Sequence, residues 1–488
     1  MARAFITGVN GFIGSHLAEE LLEKGYEVIG MVRPSSDTRS QMKLFRKYPS
    51  RIRLVLGDVR DRESLEGGFA DADYVFHLAA VLLGTRESDF NDTNATGTCN
   101  VLEAALKRHR QRPLLRVVVA SSIAAAGPSP TEEPITEDRL PEPISWYGES
   151  KLRAEEFADW HIAEGLPVTI VRPVLVHGVG DRDFSGGIFP WIALGVSPRI
   201  GRKRKRLSMI SVDDVVDGMI EAATSTKAVG ETYFLSDPEP YGDIDVADEL
   251  ANAMNIKKWR RFRFPVPHAI VWLNGCRAEL IHIFTGRRPT MTRDKAREFS
   301  QRFWTVTPEK AKKDFDWESK TTLSQGLQIA VTDWMARRVK PPATLEPRRD
   351  RVLKTIPLAL AIGIVIEGLA EIGDWWTFTP WWVVLVIVIL GFGGVLGGVS
   401  LLTAAKPKFV QFLAGGILGF VGELANALWL ERWSFSQEFI GWLPQNDWII
   451  SLAVGLPLGF VPVIINCIVG GLYRRNCRLG FGPVEEGV

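Results

Sequence analysis

At 488 residues the chain is too long for one ordinary domain, and two or three are expected. A net charge of +1 gives no reason to expect nucleic acid as a partner. Its four cysteines (Cys99, Cys276, Cys467, Cys477) form no CxxC pair and no metal-ligand spacing, so a reduced compartment and no metal site are expected.

An apolar strand at 2–6 opens the chain and leaves no room for a signal peptide, so the N-terminal domain is expected in the cytoplasm. The turn Thr7-Gly8-Val9-Asn10-Gly11-Phe12-Ile13-Gly14 follows, and then a segment apolar at helical spacing. Strand, glycine turn and helix together read as the start of a nucleotide-binding α/β domain. Gly8 allows the tight turn, Gly11 lets backbone approach a pyrophosphate, and Gly14 lets helix and strand pack closely. The pyrophosphate would rest on the free N–H groups and positive end of that helix, beside Asn10, Phe12 and Ile13. Further short apolar strands are predicted at 26–32, 52–58, 74–78, 115–121 and 168–172, separated by helical segments. That alternation implies βαβ units and a parallel sheet covered on both faces.

Beyond about residue 180 the regularity loosens into short elements rich in Pro and Gly, with a last helical pattern at 323–336. This reads as a smaller cap over the strand ends, rejoining the sheet at intervals. The domains are therefore expected at 1–336, with a cofactor-binding core to about 180 and a cap from 180 to 336. A basic, proline-containing linker at 337–354 comes next. Residues 355–488 are different material, with 6 Lys+Arg, 9 Asp+Glu and half of the 16 tryptophans. Four apolar segments there, 355–372, 381–402, 409–430 and 448–472, each approach or exceed the ~20 residues that span a bilayer as a helix.

The basic residues Arg348, Arg349, Arg351 and Lys354, then Lys406 and Lys408, then Arg474, Arg475 and Arg478 fall in alternate loops. All lie on one side, which puts both termini in the cytoplasm and the tail in the cell (inner) membrane as a multi-pass domain of residues 355–480. Trp375, Trp376, Trp381 and Trp382 would form the aromatic belt on the far side. Glu367, Glu371 and Glu423, with Asn426 beside the last, sit within the segments. Intramembrane acids are costly and are candidates for function, against the alternatives of an interfacial Glu371 and a Glu423–Asn426 pair.

Tyr147 and Lys151 lie four apart, so on a helix they share a face. A nearby ammonium favours the phenolate, bringing a group of reference pKa ~10 closer to working pH. Such a tyrosine can exchange a proton with a substrate oxygen while hydride moves. The strand Val117-Val118-Val119-Ala120-Ser121-Ser122 ends in hydroxyls where an open α/β sheet holds its ligands, and a serine there can hydrogen-bond a reacting carbonyl.

With these pieces in place, residues 1 to about 335 resemble an extended short-chain dehydrogenase/reductase of the NAD-dependent epimerase/dehydratase superfamily. The matching segments are TGVNGFIG at 7–14, GDVRD at 57–61, HLAA at 77–80, NATGT at 94–98, SS at 121–122, YGESK at 147–151, VRP at 171–173 and VDD at 212–214. The resemblance implies Ser122 as the hydroxyl ligand of the carbonyl, with Ser121 the weaker choice, and Tyr147 as the proton-transferring group. It implies Lys151 as a ligand of the nicotinamide ribose, Asp58 and Val59 as the adenine contact, and Ala79 as a wall of the cofactor channel. Asn94 matches the helix asparagine and Pro173 the nicotinamide-side loop. Dimerisation through the helices flanking Tyr147 is also implied.

Where the pattern for NAD has an acid after the second strand, this chain has Val32-Arg33-Pro34-Ser35-Ser36. An uncompensated arginine accepts a 2′-phosphate, so NADP is expected in preference to NAD; the alternative is that Arg33 stacks on adenine. Ser121-Ser122-Ile123-Ala124-Ala125-Ala126-Gly127 looks more like the 3β-hydroxysteroid dehydrogenase and dihydroflavonol reductase branches than the sugar-nucleotide epimerases. His177, where sugar enzymes often have tyrosine, reads as structural. The run Arg202-Lys203-Arg204-Lys205-Arg206 suits anionic lipid headgroups, a substrate phosphate or plain solvation.

The expected whole is α/β: a Rossmann-type doubly wound parallel sheet with a small substrate cap, followed by an all-α transmembrane domain. Its expected activity is NAD(P)-dependent interconversion of a hydroxyl and a ketone on a lipophilic, sterol-, hopanoid- or isoprenoid-like substrate at the bilayer. The alternatives are a nucleotide-sugar or lipid-linked-sugar epimerase or dehydratase, and a non-catalytic nucleotide-sensing module.

Overall fold

A computed structural model describes residues 1–339 apart from 37, 39–43, 45, 70, 258–260, 286–288 and 290. The four apolar segments predicted to span a bilayer, and the linker from 340 onward, lie outside the described residues. Among the described residues no helix is long and apolar enough to cross a membrane.

Strands β1 (Arg3–Thr7), β2 (Glu27–Val32), β3 (Ile52–Leu56), β4 (Tyr74–His77), β5 (Arg116–Ala120) and β6 (Val168–Pro173) appear where the apolar runs predicted them, within two residues at each end. They build a seven-stranded sheet in the order Thr232–Leu235, β6, β5, β4, β1, β2, β3. Every pairing within it is parallel. The seventh strand, at the β6 edge, is the place where the later chain rejoins the sheet.

Both faces are dry because alternate side chains of a strand point to opposite sides. Ala4, Ile6, Phe76, Val118 and Val171 meet Leu17, Leu21 and Leu22 of helix α1 (Phe12–Glu23) and Val215, Val216 and Met219 of helix Val212–Thr224. Phe5, Ile29, Val75, Val117, Val119 and Ile170 face Val101, Leu102 and Ala105 of helix Gly97–Gln111, with Ala158 of helix Trp146–Ala163. Arg116 fastens the bottom edge, donating to Thr169 Oγ1 (2.8 Å), Ala222 O (3.0 Å) and Ser225 O (2.7 Å).

The cap combines short strand pairs with longer helices, among them the 18-residue His268–Thr285, which the loosened pattern did not predict. Leu175–His177 pairs with Met209–Ser211 and Val196–Ile200 with Phe262–Val266, both in parallel. Arg206–Leu207 joins Tyr241–Gly242 and Phe303–Trp304 in a third small sheet. A separate core of Phe189, Ile192, Met209, Leu250, Leu327 and Trp334 holds these pieces together, with the last helix, Leu323–Val339, supplying Leu327 and Trp334.

Candidate active site

The glycine turn is built as its spacing implies. Gly8 has φ +74°, and a Cβ on it would lie 2.8 Å from Ala79 N. A Cβ on Gly14 would fall 2.2 Å from Gly8 O, so only glycine lets α1 start this close to β1. Gly11 N donates to Gly8 O at 2.8 Å, closing the turn. Gly11 caps α1 without a side chain, and no acid occupies the first helical turn. Asn10 and Gly11 are exposed, with Phe12 and Ile13 half-buried behind them. A bare helix N-terminus with backbone open to approach fits the pyrophosphate of a dinucleotide.

Under the turn runs a buried relay that the sequence did not announce. Thr98 Oγ1 donates to Asn94 O and receives His77 Nε2 at 2.9 Å, while His77 Nδ1 faces Thr7 Oγ1 at 2.7 Å. Thr7 Oγ1 in turn accepts from Leu78 N and Ala79 N, each at 3.2 Å. With Thr98 already donating, the network assigns the proton of the ring to Nε2. Burial, helped by the charge of Lys151, lowers the His77 pKa to about 3, so the ring stays neutral. The relay fixes Ala79 beside the glycine turn and links it to Asn94.

Asn94 sits in a single π-helical turn, Asn91–Thr96, a form that recurs at functional sites. Its Oδ1 accepts from Val81 N (2.7 Å), and its Nδ2 donates to Val81 O (3.0 Å) and to Ser150 Oγ (3.0 Å). Asn94 thereby ties the chain after β4 to the helix that carries Tyr147. Asp58 is held by Arg60, through Nε at 3.0 Å and Nη2 at 2.7 Å, and that pairing keeps its carboxyl below the usual range. The exposed Arg33, at the end of β2, acts on the same carboxylate from a greater distance. Val59 is buried, with its carbonyl taken by Asn100 Nδ2 at 2.9 Å. Pro173 ends β6, paired with Leu235.

The two serines separate cleanly. Ser121 Oγ donates to Glu155, whose carboxylate is clamped by Arg172 Nε (2.8 Å) and Nη2 (2.7 Å). Ser122 caps the short helix Ile123–Ala126, accepting from Ala124 N at 3.1 Å, and its hydroxyl acts on the Tyr147 phenol, favouring the ionised form. Tyr147 is buried among Phe90 and Ala124, with Val81 and Trp146 packed against them.

The expected pairing of Tyr147 with Lys151 takes a different form. Lys151 Nζ turns back to Ala120 O at 2.8 Å, satisfying the end of β5, and burial lowers its pKa to about 8. The cation on the phenol ring is Lys295, 5.5 Å from the centroid, supplied by helix Arg293–Ser300 of the cap. Burial holds the Tyr147 pKa above its ordinary value, and the charge of Lys295 and the Ser122 hydroxyl oppose that rise. The tyrosine is thus set by burial first and by a distant lysine second.

The same cap helix fastens the N-terminus of the tyrosine helix. Asp294 accepts from Trp146 N at 2.9 Å and Tyr147 N at 3.4 Å. Glu298 Oε1 accepts from Ser145 Oγ at 2.6 Å, Ser145 caps Gly148 N, and Glu298 Oε2 pairs with Lys295 Nζ at 2.5 Å. Nothing in the local sequence of 292–300 marks these roles beyond Thr292 as an N-cap. His177 proves buried, with Gly326 pressed against its ring and burial lowering its pKa to about 4, which suits a structural residue. Among the described residues no group of three His, Cys, Asp or Glu side chains could hold a metal ion.

A parallel sheet with a glycine turn at its first helix, and a serine, a tyrosine and a lysine at the strand ends, defines a dinucleotide-dependent enzyme fold. Residues 4–235 match the NAD dependent epimerase/dehydratase family. The chain is 30% identical over 240 residues to the 4-hydroxy-2-methyl-3-oxo-4-farnesyl-3,4-dihydroquinoline-1-oxide ketoreductase of Stigmatella aurantiaca, covering 49% of this chain and 69% of that one. It is 27% identical over 378 residues to the 3 beta-hydroxysteroid dehydrogenase/Delta 5-->4-isomerase of Mycobacterium tuberculosis, covering 71% and 96%. Its fold is similar to UDP-glucuronic acid 4-epimerase from Bacillus cereus, solved with UDP-glucuronic acid and NAD, at a TM-score of 0.53 and 21% identity, covering 69% and 99%. The chain belongs to the NAD-dependent epimerase/dehydratase family and is an enzyme of that superfamily.

Proposed function

We propose that this protein is a membrane-tethered oxidoreductase that interconverts a hydroxyl and a ketone on a lipophilic substrate, with NADP(H) as its preferred cofactor. The observation that carries the reading is the placement of the Ser122 hydroxyl and the Tyr147 phenol together against the apolar side chains of Phe90, Ala124, Val81 and Trp146. The cofactor supplies or accepts the hydride. Tyr147 gives its phenolic proton to the carbonyl oxygen as the alcohol forms, and Ser122 donates a second hydrogen bond to the same oxygen. Lys151 holds the nicotinamide-side ribose, and Gly8, Asn10, Gly11, Phe12, Ile13 and Gly14 cradle the pyrophosphate. Asp58, Val59, Ala79 and Pro173 line the remaining length, and Asn94 holds the tyrosine helix in register. Arg33 takes the 2′-phosphate, an anion for which an exposed guanidinium beside a single carboxylate is suited.

The two relatives named for ketone reduction and hydroxysteroid oxidation fit a lipophilic substrate, and the UDP-N-acetyl-alpha-D-glucosaminuronate decarboxylase of Bacillus cytotoxicus, also 30% identical, fits the sugar-nucleotide alternative; the sequence around Ser122 and the apolar tail favour the former. The apolar segments at 355–480 support a multi-pass tether in the cell membrane, with the catalytic domain and both termini cytoplasmic. Purified full-length protein should oxidise NADPH in the presence of hydrophobic ketones and lose this with Tyr147→Phe. No oxidation with any such ketone, or full activity in Tyr147→Phe, overturns the reading. A cofactor that copurifies and turns over without net redox change would favour a sugar epimerase or dehydratase instead. Lipid extracts of cells lacking the protein, compared with the parent, should differ in an isoprenoid by the mass of two hydrogens.

A further inference from the structure

Among the described residues, helix His268–Thr285 is anchored along the edge that carries its buried side chains. Val271, Gly275, Ala278 and Glu279 are buried there. Glu279 takes Arg293 N at 2.7 Å and Arg293 Nε at 2.6 Å, and a Cβ on Gly275 would lie 2.9 Å from Arg293 N. These contacts fix which side of the helix faces helix Arg293–Ser300. The other side carries Trp272, Leu273, Leu280, Ile281, Ile283 and Phe284, all exposed, the last two at 72% and 79%. At 3.6 residues per turn they cover about half the circumference, with Arg277 among them. Soluble monomers rarely leave a contiguous apolar face of this extent in water.

What lies beside the face points to its occupant. A Cβ on Gly201 would sit 2.8 Å from His268 Nε2, so the basic loop abuts the start of this helix. Arg202, Lys203 and Arg204 are exposed there. Arg202, Lys203, Lys205, His268 and Arg302 line a hollow of about 450 Å³ with apolar walls and no acid. An apolar, tryptophan-bearing helix face beside Arg202, Lys203 and Arg302, which have no carboxylate partner among the described residues, is the composition of an interfacial helix on anionic lipid, where each cation near the surface contributes ~1 kcal/mol.

We propose that this face docks on an anionic phospholipid bilayer: Trp272, Leu273, Leu280, Ile283 and Phe284 enter the headgroup–acyl boundary, and the basic hollow takes a headgroup phosphate. The proposal rests on the membrane clause of the proposed function and deepens it. The catalytic domain would lie on the bilayer through its own surface as well as through a tether, which lets a lipophilic substrate pass from lipid to protein without crossing water.

The test uses the full chain with Cys99, Cys276, Cys467 and Cys477 changed to serine. A single fluorophore is placed through Phe284→Cys, and the protein is reconstituted in phosphatidylcholine vesicles with and without phosphatidylglycerol. A matching label through Leu140→Cys, at another exposed position, serves as the reference. The Phe284 label should be quenched severalfold more by an acyl-chain-borne quencher than by a water-borne one, and the Leu140 label only from water. Adding phosphatidylglycerol should deepen the lipid quenching, and Arg202→Gln with Lys203→Gln and Arg302→Gln should abolish that gain. Quenching of the Phe284 label only from water overturns the proposal, as does protection from both quenchers, which means a protein surface covers the face. Lipid quenching indifferent to phosphatidylglycerol overturns the headgroup site. Ketone reduction is scored on the same vesicles: a lipid-quenched label without reduction sinks the proposed activity alone, and reduction with a water-quenched label sinks the docking alone.

Discussion

The sheet half of the molecule and the cap half meet at one tyrosine, and they contribute to it in different ways. The sheet half works through neighbours in sequence: a glycine turn joins β1 to α1, serines end β5, and Tyr147 and Lys151 are one helical turn apart. The cap half works at a distance, with Asp294, Lys295 and Glu298 reaching residues 145–147 across about 150 positions of chain. Family chemistry resides in the first half, and the electrostatic setting of the tyrosine comes partly from the second.

The sharpest break of this comparison is within the sheet half. Tyr147→Phe should lower kcat by about 10²–10⁴-fold with near-normal cofactor binding, as measured by steady-state kinetics beside NADPH fluorescence titration. Gly14→Ala should fail earlier, because its Cβ would meet Gly8 O at 2.2 Å. NADPH binding is expected to fall by more than about tenfold, with ~2 kcal/mol or more lost in denaturant unfolding. Normal NADPH affinity in this variant would mean that the turn is not the pyrophosphate cradle. Arg33→Ala should weaken NADPH by about 10–100-fold and leave NADH nearly unchanged, the loss expected of a charge-assisted bond. Equal loss for both cofactors would return Arg33 to stacking on adenine.

Smaller effects test the cap's contribution. Removing the cation in Lys295→Met should move the Tyr147 limb of the pH–rate profile upward by up to about one unit, and Lys295→Arg should restore it. An unmoved limb would make the helix Arg293–Ser300 a purely structural dock. A last difference is in acid stability. His77 is held near pKa 3 in the fold against 6.5 for a free imidazole, so the unfolded chain binds the extra proton between those values. Stability is then complete above about pH 6.5 and declines as pH falls toward 3, by on the order of 5 kcal/mol at most. His77→Gln should flatten that decline in urea titrations at several pH values.

The contrast also explains what could be read from the residues. The glycine turn, six strands and the Tyr147–Lys151 spacing were legible because strand periodicity and helical pitch are local rules. Ser122 is preferred over Ser121 by the family resemblance, but the physical reason is not local: Ser121 is engaged by Glu155, itself clamped by Arg172, which only the folded sheet brings beside it. The Thr7–His77–Thr98 relay was hidden for the same reason, since its members come from three separate elements. Lys151 was correctly placed one turn from Tyr147, yet its ammonium answers the open carbonyl of Ala120. Spacing sets which face a side chain shares and leaves its partner undetermined.

The capping of the tyrosine helix by the cap's own acids has a consequence for engineering. Asp294 and Glu298 close the orphan backbone and cap groups of residues 145–147, an arrangement whose loss at a helix end costs ~1 kcal/mol per cap. The segment 292–300 is therefore a keystone shared by the substrate-selecting and proton-transferring parts. A chimera that takes a cap from a relative to alter substrate choice must carry a compatible Asp294, Lys295 and Glu298 with it, or re-select residues 145–147 at the same time.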